Sequence, residues 1–170
     1  MKPSARLAVC AAALTIPCAA QAVNLAQPVS IRADSIQLSQ STGVSTYTGH
    51  VRLVQAGMTI HAHYIKVVSA HGHILRMHGY GSPLRMVDAQ PGQLPIFGRA
   101  RRMVYRGTDK ELTLIGDVHF RQGPNTLHAH MIHYYTTTQH VVALGRAGQR
   151  VRATLVPHTL HHHNRKPAKP

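Results

Sequence analysis

The chain has 170 residues, 44% of them hydrophobic, and 19 Lys and Arg against 5 acids, giving a formal charge of +14. That charge points to anionic partners, and so few carboxylates argue against paired-acid catalysis. The only cysteines, Cys10 and Cys18, lie close to the start, so thiol chemistry and disulfides are excluded beyond it.

In chain order, the first element is a leader. Lys2 and Arg6 precede the short apolar run Leu7–Ile16, and Ala20-Gln21-Ala22 forms a small-x-small site. This is the layout of a secretory signal peptide, residues 1–22, cleaved after Ala22; the apolar run is too short for a permanent membrane anchor. Export would bring the remainder to an oxidising compartment without a cysteine to oxidise. Stability must then come from core burial and backbone hydrogen bonds.

From Pro28 onward one pattern recurs: apolar, any residue, Ala, any two residues, apolar, any residue, apolar. It reads Ile31-Ala33-Ile36-Leu38, Ile60-Ala62-Ile65-Val67, a degenerate Gly98-Ala100-Met103-Tyr105, and Leu127-Ala129-Ile132-Tyr134. Ser30–Val67 realigns on Phe97–Tyr134, so that Thr59–His63 falls on Thr126–His130. Repetition of this kind signals stacked units sharing one continuous interior. Residues two apart share one face of a strand, whereas the step of three after each Ala reverses the phase, as a bulge or corner does. Each copy therefore predicts strand, corner, strand, with Ala small enough for close approach.

Between the copies, Val51–Gln55, Ile74–Met77, Leu84–Val87, Leu112–Ile115, Val118–Arg121 and Val151–Val156 alternate as half-buried strands do. Gly49 and Gly116 are expected to open matching strands, with Gly79, Gly81, Gly145 and Gly148 at later junctions. The expected fold is all-β, a roll of roughly a dozen or more short strands. One domain spans residues 23–157, with a loop near Asp88–Gln93 and a basic, His-rich, disordered tail over residues 158–170.

The expected inward set is Ile36, Leu38, Val51, Leu53, Ile60, Ile65, Val67, Leu84, Met86, Met103, Leu114, Val118, Phe120, Leu127, Ile132 and Leu144, with Val151 closing it. The same pattern serves an ordinary dry core or a groove for alkyl chains. Asp109 and Glu111 are expected in a solvated hairpin turn. No nucleophile elbow, phosphate loop or dinucleotide fingerprint occurs, so an enzyme is not expected, nor a cofactor. His61/His63 and His128/His130 are placed on the outer face. Such pairs can hold a metal, but they lack acidic or cysteine partners nearby, so none is expected.

Tyr47-Thr48-Gly49-His50-Val51-Arg52-Leu53, its echo Leu114–Phe120, the turn Gly79-Tyr80-Gly81-Ser82-Pro83-Leu84 and the stretch Arg150–Pro157, taken with the leader and the Ala corners, resemble the OstA-like family of periplasmic lipopolysaccharide-transport proteins, the LptA family. The resemblance covers about Pro28–Pro157. It implies a V-shaped β-jellyroll open along one side, with lipid A acyl chains in the apolar groove and sugars in solvent. It implies periplasmic localisation and end-to-end stacking through edge strands. Val29 and Ile31 would meet LptC, and Val151, Ala153 and Leu155 would meet LptD or another copy. The chain is more basic than the resemblance requires; Arg52, Arg76, Arg85, Arg99, Arg101 and Arg102, expected near strand ends, could meet lipid A phosphates. The competing reading is a secreted polyanion-binding β module with a dry core. Nucleic acid is not expected as the partner of an exported chain.

Overall fold

The computed structural model describes residues 28–157, so the leader and the tail lie outside the described residues. Ten antiparallel strands form one sheet: β1 (Ser30–Arg32), β2 (Ser35–Ser39), β3 (Val44–Gln55), β4 (Met58–Ala70), β5 (His73–Asp88), β6 (Ile96–Arg106), β7 (Glu111–Gln122), β8 (Asn125–Tyr135), β9 (His140–Leu144) and β10 (Arg152–Thr154). The strands β3 to β8 follow one another as hairpins. β1 and β2 both pair with β3, and β9 and β10 both pair with β8.

The all-β class agrees with the expectation, but the strand count does not. The corners bend strands without ending them. Register shifts fall at Thr48/Val51, His61/Tyr64, Tyr80/Leu84, Arg99/Arg102 and Ile115/Val118 in successive strand pairs, and β4–β5 has a second, separate shift at Val68/Ser69. The successive shifts form a line across the sheet. The four Ala copies fall on this line in alternate strands: the β1–β2 junction, β4, β6 and β8. The strands between them supply the extra residues. Gly49 and His50 in β3, and Gly116 and Asp117 in β7, all have positive φ. Gly49 and Gly116 therefore sit inside long strands rather than opening them, and Gly79 and Gly81 lie within β5. A local left-handed backbone is what a bulge of this type needs, and glycine supplies it without a steric penalty. Hydrogen bonding resumes on either side, so two short strands become one bent one.

The line divides the sheet into two leaves. One runs β1-β3-β4-β5-β6-β7-β8-β10, the other β2-β3-β4-β5-β6-β7-β8-β9. Their inner faces pack on each other. Val51, Leu53, Ile60, Leu84, Met86, Ile96, Ala100, Val118 and Phe120 from the first leaf and Ile65, Val67, Met77, Met103, Leu112, Leu114, Ile132 and Tyr134 from the second form one buried cluster. Tyr134 of the second leaf hydrogen-bonds Asp88 of the first at 2.5 Å, and Phe120 lies 5.8 Å from the Tyr134 ring.

Candidate functional site

Direct cross-strand neighbours share a face, so the pairing register sorts the side chains. One inner row runs Ile36, Tyr47, Ile65, Gly79, Met103, Leu114, Ile132 and Ala143. A parallel row on the other leaf runs Ile31, Leu53, Ile60, Met86, Gly98, Phe120, Leu127 and Ala153. Glycines stand where the rows are tight. A Cβ on Gly98 would meet Leu114 Cδ1 at 3.0 Å, and one on Gly79 would meet Met103 at 3.1 Å.

Of the expected inward set, Val51, Leu53, Ile60, Ile65, Val67, Leu84, Met86, Met103, Leu114, Val118, Phe120 and Ile132 are buried, and Leu127 packs against them half-buried. Two are inward but exposed: Ile36 at 49% and Leu38 at 69%. They lie on the edge strand β2, which has no neighbour beyond it among the described residues. Leu144 does not face inward. It pairs with Met131, one residue out of phase with Ile132, and is 45% exposed. Val141 and Ala143 carry the inner side of β9 instead. Sequence reading passed over Met77, Ile96, Leu112 and Tyr134. Tyr134 closes the fourth copy of the repeat, so the signal was present.

Over its middle the interior is packed, with Ile65, Leu84, Leu114 and Ile132 fully buried. It opens at the β1–β2 end. A cavity of about 800 Å³ lies there, between Val29, Ile31, Ile36 and Leu38 on one side and Val67, Ile74, Leu75 and Tyr105 on the other. Val67 and Tyr105 belong to the inner row of Leu38, so this mouth continues into the core. The arrangement offers an apolar-walled trough, and among the described residues no group of three or more His, Cys, Asp or Glu is placed to hold a metal ion.

Two acids are buried, against expectation. Glu111 is 3% exposed, on the outer side of β7, and receives Thr113 Oγ1 and His133 Nδ1 at 2.7 Å each and Arg106 Nη2 at 2.5 Å. Burial raises its carboxyl pKa, but the hydrogen bonds of His133 and Thr113 and the charge of Arg106 outweigh that and hold it below its ordinary value. Asp88, 2% exposed, ends β5 and takes hydrogen bonds from Tyr134 and Gln90. Burial first, then Asp88, push the Tyr134 phenol well above its ordinary range. Arg52, Arg76, Arg85 and Arg99 each stand three residues from an end of their strand, near the ends as expected, whereas Arg101 and Arg102 stand in the middle of β6.

The profile of the family described as LptA/(LptD N-terminal domain) LPS transport protein matches residues 30–140. The chain belongs to this family. The LPS transport protein family consists of transport proteins rather than enzymes. The chain is 29% identical over 160 residues to the lipopolysaccharide export system protein LptA of Escherichia coli K12, covering 93% of this chain and 86% of that protein. It is 24% identical over 137 residues to LptA of Haemophilus influenzae, covering 79% and 80%. The fold is similar to the crystal structure of LptH, described as the LptA-homologous periplasmic component of the lipopolysaccharide transport device of Pseudomonas aeruginosa. The TM-score is 0.70 at 23% identity, covering 77% of this chain and 96% of that one. An LptA-like jellyroll is thus the architecture, as the sequence resemblance implied.

Proposed function

We propose that the chain is a periplasmic carrier that takes lipopolysaccharide by its acyl chains into the inner face of the folded sheet. The observation that carries this reading is the mouth between β1–β2 and Ile74–Tyr105, where Val29, Ile31, Ile36 and Leu38 lead, past the polar side chains of Ser45, Ser69 and Lys110, to Val67 and the buried core. Val51, Leu53, Ile60, Ile65, Val67, Leu84, Met86, Met103, Leu114, Val118, Phe120, Leu127 and Ile132 are the wall, and Ile36 and Leu38 its exposed lip. Leu144 is excluded from it.

Each acyl CH₂ moved from water into such a trough gains about 0.8 kcal/mol. Isolated deep sites would hold several chains too tightly to release. Repeated, similar inner rows solve this, because a chain passing from one strand pair to the next exchanges like surroundings for like. Direction is supplied by another component. The sides of β1 and β10 that have no neighbour among the described residues suit strand addition by neighbouring proteins, LptC at Val29 and Ile31 and LptD or a second copy at Val151, Ala153 and Leu155. Cleavage after Ala22 would free the chain in the periplasm.

The test is photo-crosslinking. A photoreactive side chain is placed at Ile36 and at Leu38, with exposed outer-face His78 as the control, and intact lipopolysaccharide is added. Adducts at Ile36 and Leu38 and none at His78 are expected. Adducts at His78 alone, or at none of the three, would overturn the reading.

A further inference from the structure

The outer face carries a row that the interior does not explain. Following the register from edge to edge, Arg32 pairs with Arg52, Arg52 with His61, His61 with Arg85, Arg85 with Arg99, Arg99 with His119, His119 with His128, and His128 with Arg152. Each of the eight strands in that leaf contributes one basic residue, at the same level. Like charges directly opposite one another in a sheet are destabilising. The chain does not neutralise them. Its acids are engaged elsewhere: Asp34 with His50, Asp88 with Tyr134, Asp109 and Glu111 with Arg106, and only Asp117 touches the row, at His119, 3.4 Å. The crowding is felt at His128. Desolvation first, then the charges of His119 and Arg152, hold its pKa below the ordinary value.

The internal repeat makes the row harder to dismiss as composition. Arg32, Arg52, His61 and Arg85 of the first half correspond, at one constant offset, to Arg99, His119, His128 and Arg152 of the second. Their neighbours have diverged: Asp34 stands against Arg101, Ser35 against Arg102, Val54 against Arg121. All four positions of the row are basic in both halves.

Towards its second half the row borders a shallow concavity of about 360 Å³, lined by Arg85, Phe97, Arg99, His119, Arg121 and His128. Phe97 and Arg121 are direct partners on the same outer face, and the guanidinium lies 4.3 Å from the ring centroid. An aromatic ring and a planar guanidinium beside a line of cations form a surface for a sugar ring that carries anionic groups. With one cation per strand, the spacing along the row is about 4.8 Å, close to a single pyranose repeat.

We propose that this outer-face row is a second binding site, for a phosphorylated saccharide chain, centred on Phe97 and running across the strands. A single file suits an extended chain better than a flat bilayer, which would call for a broad cationic face with apolar anchors. The site lies on the opposite side of the sheet from the trough and does not depend on what the trough holds.

The probe is lipopolysaccharide from which all acyl chains have been removed, which cannot use an apolar interior. Binding is measured by calorimetry across a salt series, for the mature protein and for two variants: R52Q/R85Q/R99Q and F97A. The triple variant is expected to bind about tenfold more weakly or worse, with a shallower dependence on salt in proportion to the cations removed. It is also expected to unfold at a higher temperature, because like charges have been removed from facing positions. F97A is expected to weaken binding with the salt slope unchanged, the mark of a stacking contact rather than of bulk charge. Unchanged affinity in the triple variant would overturn the proposal. So would equal binding of the probe after enzymatic dephosphorylation, or tighter binding of single-stranded DNA or of phosphatidylglycerol vesicles than of the probe.

Discussion

The Tyr134 hydroxyl donates to Asp88 Oδ2 across the interior, joining the two leaves of the sheet at a point where both residues are almost wholly buried. Tyr134 lies on the inner row of the β2–β9 leaf, and Asp88 ends β5 on the other leaf, beside the chain's loop at 89–95. The bond fastens walls that are otherwise largely apolar.

Tyr134→Phe should therefore cost about 1–3 kcal/mol, since it leaves a buried carboxylate with Gln90 as its one remaining side-chain donor. Urea unfolding measures it. Asp88→Asn, which keeps a group able to accept from the phenol, should cost less. The reverse order would show that the fastening is not the phenol–carboxylate bond.

Glu111 should give stability a distinct pH dependence. Its folded pKa lies below its unfolded value, so its contribution is full above the ordinary carboxylate range and is lost as pH falls through the folded value. Glu111→Gln should lower stability at neutral pH by about 1.5 kcal/mol. The gap between variant and parent should close on acidification below the unfolded value of about 4.3. A gap of constant size at every pH would remove the ionised carboxylate from the explanation.

Much of this architecture was legible in the sequence, and the misses have physical causes. The phase reversal after Ala62 and Ala129 correctly marked a bend, because inner apolar residues must return to the same side after it. Strand number was overestimated because a bulge and a chain turn leave the same mark on a hydrophobic pattern, and only hydrogen bonding distinguishes them. Leu144 was misplaced because β9 is short and alternates Val141, Val142, Ala143, Leu144 with apolar residues on both faces, so no phase is visible. Glu111 was assigned to solvent from its turn context; the ring of Arg106, Thr113 and His133 that buries it is assembled from β6, β7 and β8, and no local window contains all three.

The two mid-strand bulges offer a test of the repeat itself. Gly49 and Gly116 occupy equivalent places with φ of 76° and 84°. An added Cβ would fall 2.2 Å from Asp34 Oδ2 in the first case and 3.2 Å from Arg101 Cβ in the second. Gly49→Ala and Gly116→Ala should each cost about 1–2 kcal/mol from backbone strain, with Gly49→Ala the costlier because Asp34 must also give up its contact with His50. Thermal unfolding of the pair would check it; a neutral Gly116→Ala would mean that its bulge has another conformation available.

At the mouth, stability and binding should separate. Ile36→Asp and Leu38→Glu alter exposed positions and should change stability by no more than about 0.5 kcal/mol. Both should weaken association with intact lipopolysaccharide, because a charged lip opposes entry of an alkyl chain. Leu114→Ala, deep in the wall, should instead cost about 2–5 kcal/mol. Equal binding by parent and lip variants in a crosslinking or fluorescence titration would place the entrance elsewhere.

The crease crosses β3 to β8 at one level, strand after strand, with a register shift in each strand pair along it. A gutter folded in this way has no preferred length. Each further pair of strands lengthens it by about 9.5 Å without altering what a passenger inside would touch. Another molecule whose edge met β10 or β1 in register would prolong the same channel, so distance can be covered by addition instead of by redesign.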